Sequence, residues 1–196
     1  MTKFLKEKVL PIVKWFGASF IWVFIIMLIL DIVSKVIIRN NLAEGEAVDL
    51  IPGFLRIRYI LNEHAAFGIG PDNPTLSRII YLVVAGIASI GILFYYIKSN
   101  KKINAFVKGC LMLILTGAIG NMIDRLFYGP QYAVVDFIDF YFLSWWKYVF
   151  NIADCCVVIG AILLIIYLIV SEVKDYRKRS KAEEIEFQGK NDRENQ

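Results

Sequence analysis

Histidine occurs once in the chain, at His64. A histidine-based triad and a multi-histidine metal site are therefore excluded, and His64 reads as a loop residue. The chain has only 3 cysteines, Cys110, Cys155 and Cys156. All three fall inside apolar runs without Cys-x-x-Cys spacing, so they read as small packing residues rather than a disulfide or metal framework. Charge is scarce as well: 20% of residues are charged, against 58% hydrophobic and 14% aromatic, and the mean hydropathy is +0.57. Soluble domains average roughly 45–50% apolar. No internal repeat and no separate soluble module is visible. Amphipathic periodicity is missing from the middles of the apolar runs, as expected where lipid is the neighbour.

What the chain does have is four apolar stretches, at about 15–38, 76–97, 103–123 and 148–170, each long enough to cross roughly 30 Å of hydrocarbon. The first exceeds a signal-peptide core and ends without a small-x-small cleavage site, so it is expected to be retained as a span. Basic residues set the orientation. Lys3, Lys6, Lys8 and Lys14 precede the first span; Lys98, Lys101, Lys102 and Lys108 lie between the second and third; Lys174, Arg177, Lys178, Arg179 and Lys181 follow the fourth. Both termini are expected in the cytoplasm, with residues of about 39–75 and 125–147 outside. These anchors account for the net charge of +4, so no nucleic-acid footprint is needed. The reading is one four-span domain over residues 1–171, and a charged cytoplasmic tail over 172–196 in the form of a frayed helix and disordered end.

Asp136 and Asp154 are set in Val134-Val135-Asp136-Phe137 and Phe150-Asn151-Ile152-Ala153-Asp154. Carboxylates at the edge of a bilayer are costly and usually face a polar cavity with a function. Two from different segments suggest a pair that shares a proton and activates water. At 1.5 Å per residue from the cytoplasmic side, Asp31 and Asp154 both lie about 24 Å up, and Asn121 and Asp124 about 27 and 32 Å. The polar residues thus converge at one edge. Lys35 stands one turn above Asp31 on the same helix face. Gly117 and Gly120 have the spacing of close helix approach, and Arg125 joins Asn121 and Asp124 in a polar cluster.

In the first outer loop, Leu55-Arg56-Ile57-Arg58-Tyr59 alternates as a half-exposed strand and is expected to pair with Val48 to Ile51 in a small sheet. Asn62 follows. The second outer loop carries Phe140, Tyr141, Phe142, Trp145, Trp146 and Tyr148, an interfacial belt or a lipid-gripping lid. The fold class is therefore an all-α membrane protein of four transmembrane helices, with a small extracytoplasmic β-sheet and an aromatic-rich outer loop.

Five motifs occur in order: Asp31-x-x-x-Lys35, Asn62-x-x-Ala65-Ala66-Phe67, Gly117-x-x-Gly120-Asn121-x-x-Asp124-Arg125, Val135-Asp136-Phe137 and Phe150-Asn151-x-Ala153-Asp154. Together they resemble the lipoprotein signal peptidase family (signal peptidase II), integral aspartyl proteases of the bacterial plasma membrane. The resemblance covers most of residues 20–171. It implies cleavage of diacylglyceryl-modified prolipoproteins just before the lipidated cysteine, by a dyad of Asp136 and Asp154. It implies supporting or substrate-binding roles for Asp31, Lys35, Asn62, Asn121, Asp124, Arg125 and Asn151. No cofactor and no metal is implied, and the partners are the prolipoprotein substrate and membrane lipids, with the enzyme a monomer. His64 and Thr116 stand where the family commonly has glycine. A transporter using intramembrane acids would instead spread them along a path through the bilayer, and a scaffold subunit would survive the loss of both.

Overall fold

The computed structural model of the protein describes residues 10–63, 71, 73–127, 133–142, 145 and 147–194. Expectations that fall on His64, Ala65, Ala66, Phe67 and Trp146 lie outside the described residues. In chain order the elements are α1 (Leu10–Ser19), α2 (Ile21–Asn41), β1 (Ala47–Ile51), β2 (Leu55–Asn62), α3 (Pro74–Ser99), α4 (Ala105–Phe127), β3 (Val134–Phe140), β4 (Val149–Phe150) and α5 (Ile152–Glu194). Helices α2, α3, α4 and the Ile152–Glu184 stretch of α5 are long and apolar enough to cross a membrane.

The first apolar run is broken where hydropathy alone places one helix from about residue 15. Phe20 adopts a left-handed conformation, φ 61°, which costs a bulky residue about 1–3 kcal/mol. Its surroundings hold it there: Phe20 stacks on Trp22 at 6.0 Å, Ser19 Oγ bonds to the Phe16 carbonyl at 2.7 Å, and the Tyr96 hydroxyl of α3 donates to the Ser19 carbonyl. The spanning helix therefore starts at Ile21, and Asp31 stands about 15 Å above its start rather than 24.

Helix α4 is the inner helix. Of its most apolar stretch, 44% is buried, against 11% for α2, 11% for α3 and 17% for α5. Close approach demands glycine: a Cβ at Gly117 would collide with the Ala153 carbonyl and Val157, and one at Gly120 would sit 2.6 Å from Asp31 Oδ2. Thr116 is fully buried and satisfies its hydroxyl on the Met112 carbonyl, 2.8 Å away, so a hydroxyl is tolerated at this contact.

The strands form one antiparallel sheet in the order β1-β2-β3-β4. Pairing of the first loop's two strands agrees with the alternation in the sequence. The segment between α4 and α5, where the sequence predicts only loop, adds two more. Ile57 pairs with Ile138 and Ile60 with Asp136, with a register shift between them. Such a bulge re-aims side chains locally, here directly opposite Asp136. Tyr59, Val135 and Phe137 form the sheet's buried cluster, with Ile38, Leu42 and Ile152 packed against it.

Two compact units divide the chain, Met1–Ala161 and Ile162–Gln196. The second is helical as far as Glu194, where the sequence predicts a frayed helix and a disordered end. Its Lys, Arg, Glu and Ala content favours helix, and Asp175 precedes Arg179 by four, the favourable order for an ion pair.

Candidate active site

The start of α5 is built by a reciprocal cap. Asn151 precedes the helix, and its Oδ1 accepts from the Asp154 backbone N–H at 2.9 Å. Asp154 Oδ2 in turn accepts from the Asn151 backbone N–H at 3.1 Å. This is the logic of a capping box, written Asn-x-x-Asp, and it satisfies two otherwise unpaired backbone donors. A third, the Ala153 N–H, goes to Asp31 Oδ1 of α2 at 2.9 Å. The carboxyl of Asp154 is thus fixed by its own helix terminus.

Asn151 also reaches β3. Its Nδ2 donates to Asp136 Oδ1 at 2.6 Å and to Asn121 Oδ1 at 3.1 Å. Asn121 Nδ2 donates to Asp154 Oδ1 at 2.7 Å, and Asn62 Nδ2 donates to Asp136 Oδ2 at 2.8 Å. Both carboxylates therefore receive side-chain amide donors, and one residue, Asn151, binds each of them.

Behind the pair sits a buried ammonium. Lys35 Nζ lies 2.8 Å from Asp31 Oδ2, 2.8 Å from Asp124 Oδ2 and 3.1 Å from Asn121 Oδ1. Two carboxylates and an amide oxygen surround the charge, the compensation that a buried ammonium requires. Because Asn121 Oδ1 accepts from both Lys35 and Asn151, its amide is turned with Nδ2 towards Asp154. Asp124 additionally accepts from the Val135 backbone N–H at 3.4 Å, anchoring the residue before Asp136. Arg125 Nη1 donates to the Asn121 carbonyl at 3.2 Å, and its charge interacts with Asp124, Asp136 and Asp154.

Asp136 is pushed up to about 7, first by burial and then by the charge of Asp154; the bonds from Asn62 and Asn151 act the other way. The two carboxyls titrate as a coupled pair. A pair of this kind retains a proton near neutrality, the condition for an acid and a base to coexist.

All nine residues singled out in the sequence are brought into one connected cluster: Asp31, Lys35, Asn62, Asn121, Asp124, Arg125, Asp136, Asn151 and Asp154. Cys110, Cys155 and Cys156 are free thiols. Sequence reasoning missed Arg78 and Tyr81 of α3. Arg78 Nε donates to the Arg125 carbonyl at 2.8 Å, and the Arg125 guanidinium lies 5.0 Å from the Tyr81 ring centroid. It also missed the Asp139–Arg56 ion pair of 2.7 Å across β2 and β3.

Comparison with known proteins gives consistent relatives. A family model described as Signal peptidase (SPase) II matches residues 23–170. The chain is 39% identical over 147 residues to the lipoprotein signal peptidase of Fusobacterium nucleatum, covering 75% of this chain and 84% of the relative. It is 36% identical over 155 residues to that of Clostridioides difficile, covering 79% and 97%. It also superposes on a solved bacterial membrane enzyme with a TM-score of 0.68 and 31% identity, covering 79% of this chain and 89% of that one.

Proposed function

The chain belongs to the signal peptidase II family, a family of membrane proteases, and we propose that it is an aspartyl endopeptidase whose dyad is Asp136 and Asp154. It removes the signal peptide from diacylglyceryl-modified prolipoproteins, cleaving just before the lipidated cysteine. One observation carries this reading: Asn151 bonds the Asp136 carboxyl through its amide at 2.6 Å and the Asp154 carboxyl through its backbone N–H at 3.1 Å.

In this reading the coupled pair holds one proton at rest, carried on Asp136, and Asp154 is ionised. Asp154 takes a proton from water as the water oxygen attacks the scissile carbonyl carbon. Asp136 gives its proton to the carbonyl oxygen, producing a neutral tetrahedral intermediate. On collapse the protonated Asp154 delivers its proton to the leaving nitrogen. The hydroxyl proton returns to Asp136 as the carbonyl re-forms, and the starting state is restored. No nucleophilic side chain or metal takes part. Asn62, Asn121, Asn151 and Arg125 supply donors and charge for the substrate backbone and the developing oxyanion, while Asp31, Lys35 and Asp124 support them.

In this reading both termini face the cytoplasm, residues 1–171 are the peptidase domain, 172–196 are a cytoplasmic extension, and the enzyme acts as a monomer. The dyad sits at the outer membrane edge beside the sheet. Phe54 stacks on Phe142, Phe140 meets both edge-on, and the three contribute, with Trp145 and Tyr148, an aromatic belt that meets the lipid. Acyl chains of the substrate stay in the bilayer while the scissile bond reaches the acids.

The test is a matched pair of synthetic peptides in proteoliposomes, identical except for diacylglycerol on the cysteine. The lipidated peptide is expected to be cut at the bond preceding that cysteine, and the unlipidated one at least about a hundredfold more slowly, since remote binding energy is lost. Equal cleavage of both would remove the lipid from the specificity argument.

A further inference from the structure

Arg125 is 8% exposed and stands one helical turn after Asn121, whose amide holds the Asp154 carboxyl at 2.7 Å; the charges of both acids act on its guanidinium. Its own helix supplies the Asn121 carbonyl as an acceptor. Two further contacts come from α3, at positions three apart and hence on one helix face. Tyr81 presents its ring to the guanidinium at 5.0 Å, within cation–π range. Arg78 Nε donates to the backbone carbonyl of the same residue at 2.8 Å. That carbonyl belongs to the last turn of α4, where helix carbonyls lack internal partners and a cation is favoured.

The first turn of α3 is itself fixed. Asn73 Oδ1 accepts from the Leu76 N–H at 3.1 Å, and Ser77 Oγ donates to the Pro71 carbonyl at 2.8 Å. Arg78 follows immediately on this braced turn. Of the sequence motifs that mark the site, none lies on α3, yet α3 grips one site residue at both its backbone and its side chain.

We propose that Arg78 and Tyr81 are positioning residues for the peptidase reaction: together they hold the Arg125 guanidinium beside the Asp136–Asp154 pair. This rests on the dyad reading above. In this proposal both act through Arg125. A plain staple between α3 and α4 would make the same contacts, but its loss would alter stability and leave the chemistry of the remaining folded enzyme unchanged.

The two are separated by kinetics of the full-length protein in proteoliposomes, with the synthetic diacylglyceryl-cysteine peptide as substrate. Tyr81→Leu and Arg78→Met are each expected to lower kcat/KM about tenfold, chiefly in kcat. Tyr81→Phe keeps the ring and stays within about threefold of the parent. Loosening a cation near Asp136 lets that carboxyl keep its proton to higher pH, so the alkaline limb of the rate profile moves up in Tyr81→Leu and Arg78→Met. In an Arg125→Gln background, Tyr81→Leu should cost nothing more, as expected for residues acting through one another. Additive losses in that background, or an unmoved alkaline limb in the single variants, overturn the proposal. If Arg125→Gln is too slow to measure, the limb alone decides. Failure of the dyad reading is distinguishable: Asp136→Asn and Asp154→Asn would then cleave normally, whatever the outcome of the Arg125 cycle.

Discussion

Asp136→Asn and Asp154→Asn each reduce cleavage of the lipidated peptide by about ten-thousand-fold, and the double variant is no worse than either single one. Each substitution removes a proton acceptor or donor that the other carboxyl cannot replace, so the losses coincide rather than add. The variants should still fold. Asp136 is raised to about 7 chiefly by burial, so its ionisation is disfavoured in the folded state relative to the unfolded chain. The stability associated with its protonated form is fully present below the ordinary carboxylate pKa. It is lost progressively as pH rises through about 7. Asp136→Asn cannot ionise and escapes this loss, so its melting temperature should gain on the parent between about pH 4 and pH 7. Thermal unfolding in detergent alongside the cleavage assay checks both statements. An inactive variant with the parent's pH trend would place the titration elsewhere.

Asn151→Ala should have the next largest effect, because one side chain performs three tasks. It caps α5 through the Asp154 N–H, donates to Asp136 and donates to Asn121. Loss of the cap costs about 1–2 kcal/mol of stability. Loss of the bond to Asp136 removes the tie between the two acids, and the rate should fall about a hundred- to a thousandfold. Asn151→Ser separates the two effects. Its hydroxyl can still accept from the Asp154 N–H, so most of the stability returns. It is too short to bridge to β3, so the activity does not. Parallel recovery of stability and activity in Asn151→Ser would mean that capping alone explains the residue.

Much of the site was legible because charge is rare in this chain. Asp31, Lys35, Asp124, Asp136 and Asp154 stand out against apolar neighbours, and burial of an ion demands partners, so their clustering followed. The cap is also written locally, since Asn151-x-x-Asp154 before an apolar run is a helix-start signal, but hydropathy alone opens that span near residue 148. Other features were not encoded locally. Phe20 breaks the first apolar run without glycine or proline, and its conformation depends on contacts from α3 and its own flanks. Strand β3 was concealed because Val134 to Phe137 are all buried, which removes the polar half of the alternation, and β4 is only two residues long. Arg78 and Tyr81 lie near the start of a span, and no motif in the sequence marks them. Their role is a contact between helices, and spacing within one helix does not reveal which helix lies opposite.

The proton shared by the acids can be observed directly by infrared spectroscopy of the resting protein with isotope-labelled aspartate. The account predicts a protonated carboxyl that titrates near pH 7, in line with the raised Asp136, and that disappears in Asp136→Asn. A protonated-carboxyl signal that survives Asp136→Asn unchanged, or none at all below about pH 6, would contradict it.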